Sequence, residues 1–149
     1  TAGGKRDIVE LVEDAKAKGA RVLCGGETPE GPGYYYPATV IDQLTDDMRL
    51  VMEEAFGPVA TIYRVKDREE AIKVANQTTF GLSSAIWSQD KAEQDYFIEH
   101  LQAGAVFVNG MTISYPELAF GGIKDSGFGR ELSDAGIKEF CNLKTVWKA

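Results

Sequence analysis

The sequence predicts an α/β fold, with alternating strands and helices around a mainly parallel sheet. Short runs of β-branched and aromatic residues alternate with segments whose apolar residues recur at helical spacing. The connections between them are short and punctuated by Gly, Pro or Asp. One strand candidate, Val59 to Val65, is mostly apolar, as a strand inside a parallel sheet would be. Alternation of this kind layers helices against a sheet.

Lys5 to Lys18 is predicted as an amphipathic helix, because Ile8, Leu11, Val12 and Ala15 share one face and Gly19 stands where a C-cap glycine belongs. Ala20 to Cys24 is predicted as a short strand closed by Gly25-Gly26. The turn-rich stretch from Glu27 to Gly33 leads into Tyr34-Tyr35-Tyr36 and Ala38 to Ile41, both strand-like by content. A short helix is expected after Thr45, an apt N-cap, with Asp46 and Asp47 in its first turn and Gly57-Pro58 as its stop. The Val59 strand follows. Asp67 is placed to cap a helix, with Glu70 three positions on as in a capping box, and Ala71, Ile72, Val74 and Ala75 supply its apolar stripe. Asn76 to Gly81 is expected as loop and Leu82 to Trp87 as strand. Ser88 or Asp90 starts another helix with Phe97, Ile98 and Leu101 inward, ended by Gly104. A strand at Ala105 to Asn109, a glycine-rich loop from Phe120 to Gly129, a helix from Leu132 to Phe140 and a strand from Leu143 to Trp147 complete the expectation. No strand precedes the first helix for it to cover, so part of an α/β domain is expected on the N-terminal side of Thr1.

Composition narrows the function classes. The chain has 149 residues, enough for a core, with a net charge of −7 and 16 scattered basic residues. That balance argues against nucleic acid and anionic membrane surfaces as partners. No apolar run approaches the ~20 residues of a membrane span, and no signal peptide is visible, so the cytoplasm is the expected compartment. One histidine, His100, and two cysteines, Cys24 and Cys141, support neither a metal site nor a disulfide framework. Nothing in sequence is placed to lower the pKa of Cys24, and Cys141 ends an apolar helix. Both are expected to be small buried hydrophobes rather than nucleophiles.

Two stretches invite a chemical reading. In Glu53-Glu54-Ala55-Phe56-Gly57-Pro58-Val59, two acids stand at a predicted helix end, where the dipole disfavours carboxylates by roughly 0.3–1 kcal/mol each. A ligand would account for them: a carboxylate can accept both vicinal hydroxyls of a ribose, and Phe56 offers a face to a flat ring. The bland alternative is a solvated helix end with one core Phe. The second stretch, Phe120-Gly121-Gly122-Ile123-Lys124-Asp125-Ser126-Gly127-Phe128-Gly129-Arg130-Glu131, suggests a phosphate cradle by its glycines. Its spacing disagrees, since Leu132 stands where a third fingerprint glycine should be.

These strings, as EE-x-FGPV and FGG-x-K-x-SG-x-GRE, resemble the NAD(P)-dependent aldehyde dehydrogenase superfamily. Asn76 to Leu82 is similar to its N-x-T-x-YGL segment, with Phe80 for Tyr. Gly104 to Asn109 is similar to its G-x-V-x-VN strand, and Ala119 replaces a common Pro before Phe120. The order of the four motifs fits, and the resemblance covers essentially the whole chain.

The resemblance implies the C-terminal half of that family's catalytic domain over residues 1–141 and an oligomerisation strand over 142–149. That strand would pair with a neighbouring subunit of a homo-oligomer, a dimer or tetramer. It implies that Glu54 binds the nicotinamide ribose of NAD or NADP, with Phe56 beside it and Leu82 near the nicotinamide. Plain core packing is the alternative for Leu82. Phe120 would line the substrate tunnel. Ser114, six residues before Phe120, matches a serine that binds the substrate's distal carboxylate in succinate-semialdehyde dehydrogenases; a loop serine satisfying its own backbone is the alternative. The run from Glu139 to Lys148 also resembles that branch. Family members attack a small-molecule aldehyde with a cysteine thiolate, hold the thiohemiacetal in an oxyanion hole and deacylate with a glutamate base. Those residues belong to strings absent here, so no catalytic residue is expected in this chain, and alone it should be inactive. The competing expectations are a different aldehyde substrate and a non-catalytic assembly module.

Overall fold

The computed structural model describes residues 1–149, and they divide into two units, Thr1–Lys66 and Asp67–Ala149. In the first, helix α1 spans Ala2–Ala17. It begins earlier than the sequence suggests because Thr1 Oγ1 accepts a hydrogen bond from the Gly4 amide at 3.1 Å, a cap that the adjacent glycines obscure. Ile8, Leu11, Val12 and Ala15 are buried, as the spacing predicts, and pack with Ile41, Met48 and Leu50. Strands β1 (Arg21–Cys24), β2 (Thr39–Asp42) and β3 (Val59–Ile62) form one sheet in that order, β1 antiparallel and β3 parallel to β2.

Several local expectations change here. Tyr34 to Tyr36 make no strand. Gly31 and Gly33 turn the backbone with φ of +112° and +96°, and Pro37 next in line has no amide to donate to a ladder. Strand β3 is shorter than predicted, and beyond half-buried Val59 its residues are exposed. It lies at the sheet edge, so its apolar character is not matched by burial within this chain. Cys24 is exposed rather than buried because β1 is the opposite edge.

Helix α2 is a single turn, Arg49–Met52, and Thr45 does not cap it. The Thr45 carbonyl accepts from the Met48 amide at 3.0 Å in a turn that takes up Asp46 and Asp47. The leading amide of α2, on Arg49, is instead bound by Asp14 Oδ2 of α1 at 2.9 Å. Lys18 and this amide together hold the Asp14 carboxyl below its ordinary pKa. A cap delivered from another helix has no local signature. Gly57 serves packing: a Cβ there would lie 2.6 Å from Ile8 Cγ1.

The second unit contains α3 (Arg68–Asn76), β4 (Phe80–Gly81), β5 (Ser83–Ile86), α4 (Lys91–His100), β6 (Ala105–Val108), β7 (Ile123–Lys124) and α5 (Ser133–Lys138). Strands β5 and β6 pair in parallel, and β4 pairs antiparallel with β7. Asp67 caps α3 by accepting from the Glu70 amide at 2.8 Å. Asp90, not Ser88, caps α4, accepting from Ala92 and Glu93. The expected inward stripes are only partly covered: Ala75 and Ile98 are exposed, and neither helix has a fully buried residue.

The glycine-rich segment is not all loop, since it contains β7 and a bridge between Phe120 and Glu131. Leu143 to Trp147 form no strand. A strand needs a ladder partner, and nothing in the chain pairs with this segment. Cys141 lies past the end of α5 and is exposed, because no neighbour covers that terminus. No helix is long and apolar enough to cross a membrane.

Candidate functional site

Glu54 and Phe56 lie in the unit spanning residues 1–66, and Leu82, Ser114 and Phe120 in that spanning 67–149. Arg49 separates the roles of the two acids. Its Nε donates to Glu53 Oε1 at 2.6 Å and its Nη2 to Oε2 at 2.8 Å, a two-pronged pairing one helical turn apart. This ion pair holds the Glu53 carboxyl below its ordinary pKa. Glu53 sits at the C-cap with extended backbone, φ −96° and ψ 141°, so neither acid belongs to the last helical turn and the predicted clash with the dipole does not arise. Glu54, one residue beyond, is exposed and has no hydrogen-bond or ion-pair partner. Phe56 is 84% exposed, which removes the core-Phe alternative within this chain. The pair is therefore an unengaged carboxylate followed by an uncovered aromatic ring.

In the second unit the structure brings Leu82 and Phe120 together on the wall of one cavity of about 440 Å³. Leu82 leaves β4 just before β5 begins and is 43% exposed, so it is not a core residue of this unit. Phe120 also lines a second cavity of about 410 Å³, mostly apolar, with Val106 and Val108 of β6 and with Ile113 and Tyr115. Its backbone is pinned at both ends: the Phe120 amide donates to the Glu131 carbonyl at 2.8 Å and the Glu131 amide donates back at 2.7 Å. Ser114 is exposed and does not line either cavity, although its neighbours Ile113 and Tyr115 line the second.

The glycine-rich segment is a clasp rather than a cradle. The amides of Phe120, Asp125, Ser126, Gly127, Arg130 and Glu131 all donate to protein oxygens and are not free to face an anion. Gly104 and Gly121 are needed for close approach, since a Cβ on Gly104 would fall 1.7 Å from the Gly121 carbonyl oxygen. Two residues that the sequence reading passes over, Lys124 and Ser126, make the ties from this segment to the Asn76–Gly81 stretch. Their signal lay in the same string, as two polar residues held between glycines. No cluster of three or more His, Cys, Asp or Glu side chains is arranged to hold a metal ion.

Comparison with known proteins identifies the family. The family described as "Aldehyde dehydrogenase family" matches residues 2–146. Succinate-semialdehyde dehydrogenase [NADP(+)] 1 of Mycobacterium ulcerans is 59% identical over 147 residues, which cover 99% of this chain and 32% of that protein. A crystal structure of succinic semialdehyde dehydrogenase from Streptococcus pyogenes in complex with NADP+ superposes with a TM-score of 0.93 at 38% identity, covering 99% of this chain and 32% of that one. An NAD-dependent aldehyde dehydrogenase from Sinorhizobium meliloti superposes at 0.89 with 36% identity, covering 94% of this chain and 28% of that one. The chain thus spans about a third of the length of such relatives. With a family match over nearly every residue and the family's fold beneath it, this chain belongs to the aldehyde dehydrogenase family.

Proposed function

We propose that this chain is the C-terminal third of an NAD(P)-dependent aldehyde dehydrogenase that oxidises succinate semialdehyde to its acid. The observation that carries the proposal is the 59% identity, over nearly the whole chain, to a protein named for that substrate and for NADP. The residues present fit the cofactor. Glu54 is a carboxylate with no partner of its own and can accept the two hydroxyls of a ribose, with Phe56 as an open aromatic face beside it. When bound, the cofactor would supply the acceptor for the hydride that leaves the substrate carbon. Leu82 would lie on the nicotinamide side, and Phe120 would form part of an apolar tunnel wall. Ser114 would donate its hydroxyl to the distal carboxylate of the substrate. The nucleophilic cysteine and the glutamate base belong to the parent protein outside this chain. Residues 1–141 would form part of the catalytic domain and 142–149 an oligomerisation strand. Leu143, Val146 and Trp147 are uncovered here and would pair across a subunit boundary.

Two measurements test this reading. The chain mixed with succinate semialdehyde and NAD or NADP should give no absorbance at the reduced-nicotinamide band; turnover abolished by Cys24→Ala would overturn the assignment of the nucleophile elsewhere. In the intact parent enzyme, Ser114→Ala should raise KM for succinate semialdehyde far more than KM for an uncharged aldehyde. Equal changes would remove the carboxylate role.

A further inference from the structure

We propose that Lys124 and Ser126 are positioning residues: they lock the segment ending at Leu82 to the segment beginning at Phe120, so that the cofactor side and the substrate side share one register. The inference rests on the functional reading above, and its geometry is local to the second unit.

The pairing of β4 with β7 is only two residues long, too short to hold two segments by its ladder alone. Four further hydrogen bonds supplement it. Lys124 Nζ donates to the carbonyls of Asn76 at 2.9 Å and Thr78 at 3.0 Å. The Asp125 amide donates to the Thr79 carbonyl at 3.0 Å, and the buried Gly81 amide donates to Ser126 Oγ at 3.0 Å. Lys124 has φ +55°, a backbone conformation that glycine adopts without strain. A lysine at such a position is accounted for by its ammonium, which donates to carbonyls at the last residue of α3 and just beyond it. Asn76 anchors the other side of the same stretch: its Nδ2 donates to the His100 carbonyl and its Oδ1 accepts from the Gln102 amide, both at 2.8 Å. The Asn76–Leu82 stretch is thereby fixed at both ends, and Leu82 is set against the cavity it shares with Phe120. A Cβ on Gly104 would stand 1.7 Å from the Gly121 oxygen and 3.0 Å from the Leu82 oxygen, so both segments close on the Gly104 backbone at a point where only glycine fits.

A latch of this kind sets the fraction of enzyme in which both walls are seated. Apparent affinity falls by that fraction for any ligand that needs the seated state. Loosening it should therefore weaken both substrates by a common factor, and binding of either should re-seat the loop for the other. In the intact parent enzyme, Ser126→Ala and Lys124→Met should each raise KM for the aldehyde and KM for the nicotinamide cofactor together, about five- to tenfold. Each is measured with the other substrate below its own KM. Saturating one substrate should return the other's KM toward the wild-type value, kcat per folded enzyme should stay within about twofold, and Lys124→Arg should restore both constants. A change in only one KM, in neither, or in kcat alone would overturn the latch. A wild-type parent without aldehyde oxidation would sink the functional reading instead, and the latch is then decided on the chain itself by amide exchange. Ser126→Ala should speed exchange of the Gly81 amide at least about tenfold and leave the Asn109 amide, bonded to the Ile86 carbonyl at 2.7 Å, unchanged. An unchanged Gly81 amide would overturn it.

Discussion

The two units are built from the same kinds of element and closed by different forces. In Thr1–Lys66 one face of α1 meets Ile41, Met48 and Leu50, and every fully buried apolar side chain of the molecule lies in that cluster. In Asp67–Ala149, β5 and β6 are half-buried along their length and neither α3 nor α4 buries a residue completely. What holds the second unit is directional: short ladders, side-chain caps, glycine close approaches and the ties from Lys124 and Ser126. Three of its large apolar side chains, Phe128, Phe140 and Leu143, are almost wholly exposed. Large contiguous apolar patches are what interaction surfaces present. In the proposed reading, the remainder of the parent enzyme and a neighbouring subunit would cover these side chains. A hydrophobic core tolerates the loss of one hydrogen bond; a clasp made of hydrogen bonds does not.

The largest effect expected from this contrast is on the core. Leu11→Ala removes a buried side chain at the centre of the α1 stripe and should destabilise the first unit by about 2–5 kcal/mol. Ile98→Ala, at an exposed helical position, should stay within about 0.5 kcal/mol. Amide exchange followed separately in the two units measures both, and equal losses would break the contrast. Gly57→Ala comes next. Its new Cβ would press on Ile8 Cγ1 from 2.6 Å, overpacking worth about 1–3 kcal/mol.

A buried carboxylate gives the first unit an acid limit. Asp42 is 2% exposed at its side chain, and Arg21 donates to it twice, Nε at 2.9 Å and Nη2 at 2.6 Å, with Arg64 3.6 Å away. The hydrogen bond from Arg21 outweighs the opposing effect of burial and holds the Asp42 carboxyl below its ordinary value of 3.8. A depressed native pKa contributes stability that is fully present above the unfolded value and is lost as pH falls through the native one. Thermal unfolding should therefore show the first unit weakening as pH drops below about 4. Arg21→Met should flatten that acid limb by bringing the Asp42 pKa back up. An unchanged limb would remove this pair as its source.

The elements that were legible in the sequence are those whose signals are local. The α1 stripe, the Asp67 cap and the existence of the parallel strands followed from spacing and from single residues with a fixed chemical habit. Helix α2 was misread because its N-terminal amide is bound by Asp14, 35 positions away in sequence. Tyr34 to Tyr36 misled through composition, since aromatic content favours a strand only where a partner edge exists. The family motifs marked the candidate stretches but not the pairings within them. Which of Glu53 and Glu54 is unengaged depends on the reach of Arg49, and the clasp depends on where Lys124 and Ser126 meet segments more than 40 residues away. Pairings of that range are set by tertiary structure and have no periodicity to read.

The smallest effect is also the finest test of the contrast. Asp90 and Thr1 perform the same task, each accepting from amides in the first turn of its helix. Replacing such a cap by alanine costs about 0.5–2 kcal/mol when the helix has little else to hold it. Helix α4 is in that position, with Phe97 half-buried, Ile98 exposed and no residue fully covered, so Asp90→Ala should fall near the middle of this range. Asp90→Asn should recover most of the loss, because the amide oxygen still accepts. Helix α1 is pinned by its buried stripe beyond the first turn, so Thr1→Ala should fray only the amides at its start. Exchange rates at Ala92 and Glu93, set beside those at Gly4 and Lys5, separate the two cases. If Thr1→Ala opened α1 as far along its length as Asp90→Ala opens α4, side-chain burial would not be what distinguishes the units.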